Sequence, residues 1–206
     1  NSEGVANFDN LPIGLYYVTE SETPTVEGKA ITKALPFLIT VPITDPTGRA
    51  DWIYDVHVYP KNIVSSVEKE VVDIDSFGAG EKISYSFYAD IPGGKPTTKY
   101  ILTDQIDERL DYVADSETVH FGKVPAERQT DYVVDYSGHK LTITLTEAGR
   151  IKAFDALVAD NTAQTQVTIN AVVLEGANGC IPNKVTLSFE NEPGHETDTE
   201  SDEVDT

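Results

Sequence analysis

The sequence predicts an all-β protein made of two units, and two observations support that prediction. Short runs rich in β-branched and aromatic residues recur along the chain, and Gly, Pro, Asn and Asp turn residues separate them. Most of these runs follow residue 66, where about seven strands in one unit are typical of an immunoglobulin-like β-sandwich. The 206 residues are enough for one large core or two small ones.

Composition excludes several classes of function. The formal net charge of −20 disfavours nucleic acid and anionic lipid surfaces, both of which need basic protein surface. No apolar run approaches the roughly 20 residues of a membrane helix, so no membrane contact is expected. Cys180 is the only cysteine, so no disulfide can form within the chain, and we expect a small buried or half-buried thiol.

The first unit is predicted over residues 1–61, with three strands separated by turns. The first two strands are expected over 14–20 and 37–41, and the turn Asp45-Pro46-Thr47-Gly48 precedes the third. Three strands of this kind would expose apolar edges unless something else covers them.

The third strand, over 52–61, has an informative phase. Side chains alternate between the two faces of a strand, so the apolar set is predicted to be buried together: Trp52, Tyr54, Val56 and Val58. His57, Tyr59 and Lys61 share the opposite face. Pro60 cannot donate to a ladder and ends the strand, which leaves Lys61 as a solvent-open amine.

The second unit is predicted over 67–192, after a hinge at 62–66 and before a disordered acidic linker or tail at 193–206. One helix is expected after Thr146, a residue suited to capping, because Ile151, Phe154, Leu157 and Val158 recur at helical spacing. The strands are predicted over 67–74, 82–89, 99–106, 132–135, 140–145, 166–174 and 184–189.

Three polar residues fall in phase with the apolar face of predicted strands: Lys69, Asp104 and Asn183. Burial of an isolated charge is costly, so these residues are expected to share one site. One interpretation is a buried ion pair beside an amide. The other is an intramolecular isopeptide bond, in which neutral Lys69 attacks the side-chain carbonyl of Asn183 and Asp104 transfers the protons. Asn191 is the second choice of partner.

The third strand also carries a motif, W-x-x-x-V-x-V-Y-P-K, that resembles the pilin motif of sortase-assembled pili in Gram-positive bacteria. The matching residues are Trp52, Val56, Val58, Tyr59, Pro60 and Lys61. The resemblance implies that Lys61 is the acceptor amine joined to the next subunit by a class C (pilus-specific) sortase. It also implies a secreted, cell wall-anchored pilus whose partners are neighbouring pilin subunits.

Both units resemble parts of shaft pilins. GLYYVTE and PFLITVP resemble the closing strands of the N-terminal pilin domain, which implies that the earlier strands of that domain lie outside this sequence. Leu102-Thr103-Asp104 and the segment 183–191, NKVTLSFEN, resemble the isopeptide-forming, CNA-B-like middle domain. The resemblance places the lysine, aspartate and asparagine of that chemistry at Lys69, Asp104 and Asn183. Pro182 and Cys180 depart from the family pattern beside Asn183.

Other chemistry is weakly indicated. The histidines have no metal-binding spacing, an aspartate series from Asp104 to Asp115 lacks the glycine of a calcium loop, and no nucleophile-elbow motif is present. No cofactor, metal site or turnover enzyme is therefore expected. The alternative function is an adhesin module that binds a host matrix protein or glycan, which an exposed aromatic platform would favour.

Overall fold

The computed structural model describes residues 5–21, 30–34, 36–44, 51–60, 62–73 and 78–205. The chain divides into two compact units, residues 1–23 with 33–62 and residues 24–32 with 63–206. The division between 62 and 63 falls within the predicted hinge at 62–66. Part of that hinge is a strand, however, because 63–65 pairs with 30–32 in the second unit.

The described residues of the first unit form two small antiparallel sheets. Its four strands are β1 (Gly14–Val18), β3 (Phe37–Val41), β4 (Ile43–Thr44) and β5 (Trp52–Ile53). β1 pairs with β3, and β4 pairs with β5. Leu15, Tyr17 and Leu38 are exposed, as expected for a face that no second sheet of described residues covers.

The prediction of a long buried strand over 52–61 is wrong. Among the described residues 52–60, only Trp52 and Ile53 are in a strand, because the partner β4 offers just two residues for pairing. Trp52 is 62% exposed, and Tyr54, Val58, Tyr59 and Pro60 are also exposed, while Val56 is half-buried. The alternation of residue types predicts which side chains share a face of the strand. Burial of that face also requires a second layer of structure packed against it. Lys61 lies outside the described residues.

The second unit is a sandwich of two antiparallel sheets, as predicted. The first sheet has the order β12-β11-β15-β8-β7, with β10 also paired to β15, and the second has the order β13-β14-β9-β17-β18. The strands of the first sheet are β7 (Val67–Asp73), β8 (Lys82–Asp90), β10 (Leu110–Tyr112), β11 (Thr118–Phe121), β12 (Val124–Pro125) and β15 (Gln164–Val173). Those of the second are β9 (Lys99–Gln105), β13 (Tyr132–Ser137), β14 (Lys140–Leu145), β17 (Val185–Glu190) and β18 (Glu196–Glu200).

The core lies between these two sheets. Its largest fully buried side chains alternate along the strands and include Tyr85, Phe87, Tyr100, Phe121 and Phe189. Two further pairs of short strands complete the unit, namely β2 (Ala30–Thr32) with β6 (Ile63–Ser65) and β16 (Pro182–Asn183) with β19 (Val204–Asp205). The period-2 pattern of the sequence therefore predicts burial correctly in this unit, because the inward face of each long strand packs against the opposite sheet.

The predicted helix is present as α1 (Glu147–Ala159), and Thr146 caps it by accepting a hydrogen bond from the amide of Gly149. Its buried residues are small, namely Gly149, Ala153 and Ala156. Ile151 and Val158, which contributed to the predicted periodicity, are exposed. None of the described helices is long and apolar enough to cross a membrane.

The prediction of an unstructured acidic tail at 193–206 is wrong. Residues 196–200 form β18 along β17, and 204–205 pair with 182–183. The segment Glu196-Thr-Asp-Thr-Glu200 alternates acidic residues, which are exposed, with threonines that face inward. Charged residues that alternate with threonines are compatible with a strand. This strand was not predicted because the segment lacks the apolar residues on which the prediction relied.

Candidate functional site

Lys69 lies inside the sandwich. It occupies the third position of β7, opposite Phe87 of β8, and is flanked on the same face by Val67 and Val71. The strand alternation turns this face inward, so the lysine is only 6% exposed. The sequence prediction of a buried Lys69 is confirmed.

Asp104 meets Lys69 from the opposite sheet. The Lys69 Nζ donates to Asp104 Oδ2 at 2.7 Å, and both side chains are essentially inaccessible to solvent. β9 holds the aspartate between β14 and β17, opposite Leu141 and Val185. The other carboxylate oxygen, Oδ1, is buried without a hydrogen-bond partner among the described residues. Two chain segments 35 residues apart therefore form one buried pair.

Aromatic rings surround the amine. Lys69 Nζ lies 4.8 Å from the ring centroid of Tyr85 and 4.6 Å from that of Phe87. Burial among these groups lowers the pKa of Lys69 to about 8, although the nearby Asp104 carboxylate opposes the shift. A larger fraction of neutral, nucleophilic amine is therefore present near neutral pH than for an exposed lysine. Sequence reasoning did not name Tyr85 and Phe87, yet both alternate inward along β8.

Burial has the opposite effect on the acid. It raises the pKa of Asp104, and the ion pair with Lys69 only partly offsets that rise. The two shifts bring the proton affinities of amine and carboxylate closer together. The form with a neutral amine and a protonated acid is then more accessible than it would be in water.

Asn183 completes the group on the same side of the second sheet. It is 2% exposed, and its backbone pairs with Val204. It is in phase with Val185, whose partner across the ladder is Asp104. Its amide weakly lowers the pKa of Asp104, but neither amide atom forms a hydrogen bond of good geometry with a described residue. A buried amide without partners is costly and requires an explanation.

Asn191, the second choice of partner, lies elsewhere. It follows the far end of β17, where Glu190 pairs with Lys99, whereas Asp104 pairs with Val185 at the near end. Asn191 is also buried, and its amide has no partner among the described residues. The site therefore combines Lys69, Asp104 and Asn183 and does not include Asn191.

Cys180 and the aspartate series do not belong to this site. Cys180 is exposed, which corrects the expectation of a buried or half-buried thiol. In the described part of the chain, no group of His, Cys, Asp or Glu residues is arranged to hold a metal ion. The aspartate series does not form a cation site, since Asp107 is engaged by Arg109 and Asp111 by Tyr136.

Comparison with protein families matches both units. Residues 1–63 match the Gram-positive pilin subunit D1, N-terminal domain, and residues 61–206 match the Sgo0707 N2 domain. The fimbrial subunit type 1 of Actinomyces viscosus is 35% identical over 96% of this chain and 41% of its own length.

Solved structures give the same result. The full-length major pilin SpaD from Corynebacterium diphtheriae has a TM-score of 0.79 and 29% identity, over 97% of this chain and 47% of that chain. The major pilin SpaA from the same organism, described as having stabilising isopeptide bonds, has a TM-score of 0.60 and 28% identity, over 91% of this chain and 46% of its own. The chain thus spans less than half the length of these relatives.

Proposed function

We propose that this chain, which belongs to the Gram-positive pilin family, acts as part of a structural subunit of a covalently polymerised cell-surface pilus. Two lysines would form two different amide bonds. Lys69 would cross-link the second unit internally, and Lys61 would join neighbouring subunits. The pilus would be secreted and anchored to the cell wall, and its subunits would be structural rather than enzymes with turnover.

The single observation that supports the internal cross-link is the buried 2.7 Å contact between Lys69 Nζ and Asp104 Oδ2, beside the unpartnered amide of Asn183. An ion pair alone explains two of these residues. It leaves the cost of burying the Asn183 amide unexplained. The stabilising isopeptide bonds of the related SpaA pilin support the same chemistry.

The reaction follows from the proton positions in the pair. In the neutral tautomer, the lone pair of Lys69 Nζ attacks Cγ of Asn183, while the protonated Asp104 donates to the carbonyl oxygen. The Asp104 carboxylate then accepts a proton from Nζ and passes it to the amide nitrogen. The Cγ–Nδ2 bond breaks and ammonia leaves, while the oxygen on Cγ returns its proton to Asp104 as the carbonyl re-forms. A Lys69–Asn183 amide and a protonated Asp104 remain. Folding supplies the proximity, so no external enzyme is required.

The bond would join the first and last long strands of the sandwich, β7 and the β16–β17 segment. More than a hundred residues lie between its ends. By analogy with a disulfide closing a loop of that size, it would stabilise the unit by roughly 4–5 kcal/mol through the unfolded state. In a chain with no possible disulfide, this covalent bond would resist unfolding under tension.

Peptide mapping tests the internal bond. Digestion of the folded protein is expected to yield one branched peptide that contains both Lys69 and Asn183, lighter than its two components by one ammonia. Asp104→Ala is expected to give two linear peptides instead. Linear peptides from the wild-type protein would refute the cross-link while leaving the pilin assignment intact.

Polymerisation tests the role of Lys61. We expect Lys61→Ala to abolish covalent multimers in cells that carry a class C sortase, because the acceptor amine is lost. Lys123→Ala is the matched control, since Lys123 is an exposed lysine of the second unit and should not affect multimers. A ladder of multimers that survives Lys61→Ala would refute this role.

Adhesion is the second candidate, and the exposed aromatics of the first unit favour it. Trp52, Tyr54 and Tyr59 are all largely exposed, and aromatic rings commonly provide contact area in binding surfaces. Binding of the purified chain to host matrix proteins or a glycan array, lost in Trp52→Ala, would support this function. No binding, or binding that Trp52→Ala retains, would argue against it.

A further inference from the structure

The loop between β15 and β16 contains Asn178-Gly179, the one place in the sequence where glycine follows asparagine. Asn178, Gly179 and Cys180 are all exposed. Gly179 adopts a φ of +70°, a conformation that glycine tolerates because it has no Cβ. Asparagine is thermolabile, and glycine after it leaves the next backbone nitrogen sterically open.

Arg109 forms hydrogen bonds to the backbone of this loop. Its Nη1 donates to the backbone carbonyls of Asn178 at 2.9 Å and Cys180 at 3.1 Å. Its Nε and Nη2 donate to the two carboxylate oxygens of Asp107 at 2.7 and 2.8 Å. The guanidinium therefore fixes the carbonyls on both sides of Gly179, and Asp107 fixes the guanidinium.

The side chain of Asn178 is held as well. Its Nδ2 donates to the carbonyl of Gly176 at 3.0 Å. By contrast, the amide of Gly179 makes no hydrogen bond to any described residue. The nucleophile is therefore available, and what limits its approach to Asn178 Cγ is the fixed backbone rather than a competing partner.

We propose that Asn178-Gly179 is a site of spontaneous deamidation and that Arg109 slows the reaction by holding the loop. The Gly179 nitrogen attacks Cγ of Asn178, the Cγ–Nδ2 bond breaks, and ammonia leaves with the proton of that nitrogen. A five-membered succinimide remains. Water then opens one of its two carbonyls, which gives aspartate or, with the backbone rerouted through the side chain, isoaspartate.

The isoaspartate product would alter the clamp itself. In isoaspartate the backbone runs through Cβ and Cγ of residue 178, so it is one methylene longer at that residue. The carbonyl oxygen of Asn178 becomes part of a carboxylate beside the guanidinium. Five residues along the chain, Asn183 would lose ammonia to a lysine, whereas Asn178 loses it to its own backbone. Because the released ammonia is lost to solvent, the product would accumulate as the protein ages.

The test is a time course of purified, folded protein at pH 8 and 37 °C, followed by peptide mapping that separates aspartate from isoaspartate. We expect deamidation at Asn178 to proceed faster than at any other asparagine. Asn161 is an internal control, because it is exposed but precedes Thr162, whose backbone amide donates to Asp160 Oδ1. Asn178→Gln should remove the modification.

Arg109→Gln tests the restraint. The variant should deamidate at Asn178 several-fold faster than the wild-type protein, with no change at Asn161. Asp107→Asn, which weakens the support of Arg109 without touching the loop, should give a smaller acceleration. Circular dichroism establishes that each variant is folded. No deamidation at Asn178, or a rate unchanged in folded Arg109→Gln, would overturn the proposal.

Discussion

The two ends of the last long strand, β17, carry two buried asparagines with different surroundings. Asn183 precedes the strand near Lys69 and Asp104, whereas Asn191 follows its far end, away from that pair. Both amides are buried, and neither has a hydrogen-bond partner among the described residues. In the proposed chemistry, burial alone would therefore not make an asparagine reactive. The difference is the amine with a lowered pKa and the acid with a raised pKa at one end.

The largest expected effect comes from removing the acid. Asp104→Ala should prevent the cross-link, because it removes the carboxyl group that is hydrogen-bonded to Lys69 Nζ and that transfers the protons in the proposed reaction. It also leaves a buried lysine unpaired, so the total loss of stability should exceed the 3–5 kcal/mol typical of breaking a buried pair. Urea denaturation with intact mass measures both effects. A cross-linked Asp104→Ala protein would contradict the role of the acid.

Removing each asparagine in turn compares the two ends directly. Asn183→Ala should have the mass of its unmodified sequence, because no ammonia is released. Its free energy of unfolding should be lower than that of the wild-type protein by roughly 4–5 kcal/mol, the contribution expected of the covalent link. Asn191→Ala should leave the Lys69–Asn183 bond intact and change stability far less, because it removes an amide that already lacks partners. Equal losses in the two variants, measured by urea denaturation, would show that the ends are equivalent.

Stability should depend on alkaline pH only when the bond is absent. Free Lys69 has a pKa of about 8 in the folded protein against 10.5 unfolded, so the folded state binds fewer protons between those values. Unfolding free energy in Asn183→Ala should therefore rise with pH across that window. In the wild-type protein Lys69 is an amide and this rise should be missing. Urea denaturation of Asn183→Ala and of the wild-type protein at several pH values measures this difference in the free energy of unfolding.

Asp104 contributes in the opposite sense. Its folded pKa lies above the ordinary 3.8, so its stabilising contribution is complete at lower pH and is lost as the pH rises through the folded value. That decline should begin on the acidic side of the lysine window. A pH profile of Asn183→Ala that matches the wild-type profile between pH 8 and 10 would contradict the lowered pKa of Lys69.

The smallest expected effect is at Cys180. The thiol is exposed, and the contact that involves this residue uses its backbone carbonyl, which Arg109 binds. Cys180→Ser should therefore change stability by less than about 0.5 kcal/mol and leave the cross-link complete. Incomplete cross-linking in that variant, seen by intact mass, would show that the departure from the family pattern at Cys180 affects Asn183.

The sequence predicts the second unit better than the first, for a physical reason. Strand phase placed Lys69, Asp104 and Asn183 on buried faces, because each strand there has a facing sheet that gives the alternation its meaning. The same reasoning failed for Trp52 and Tyr54, where the described residues provide no covering layer. Pattern specifies which side chains share a face, but only tertiary structure decides whether that face is covered.

Two other failures have a similar origin. β18 escaped prediction because its inward residues are threonines, one of which, Thr197, contacts Thr32 at 3.2 Å. The rings of Tyr85 and Phe87 around Lys69 follow from the register of β7 on β8, which sequence alone does not fix. β18 was therefore not predicted because its residues are charged or polar. The two aromatic rings of the site were not predicted because the strand register was unknown.

Intact mass is the most direct measurement of the central proposal. The wild-type protein and Lys69→Ala should be purified under the same conditions and weighed within hours, before slow deamidation adds its small gain in mass. We expect the wild-type mass to be lower than its sequence mass by one ammonia, and the Lys69→Ala mass to equal its sequence mass. A wild-type mass equal to that of its unmodified sequence would contradict the isopeptide bond.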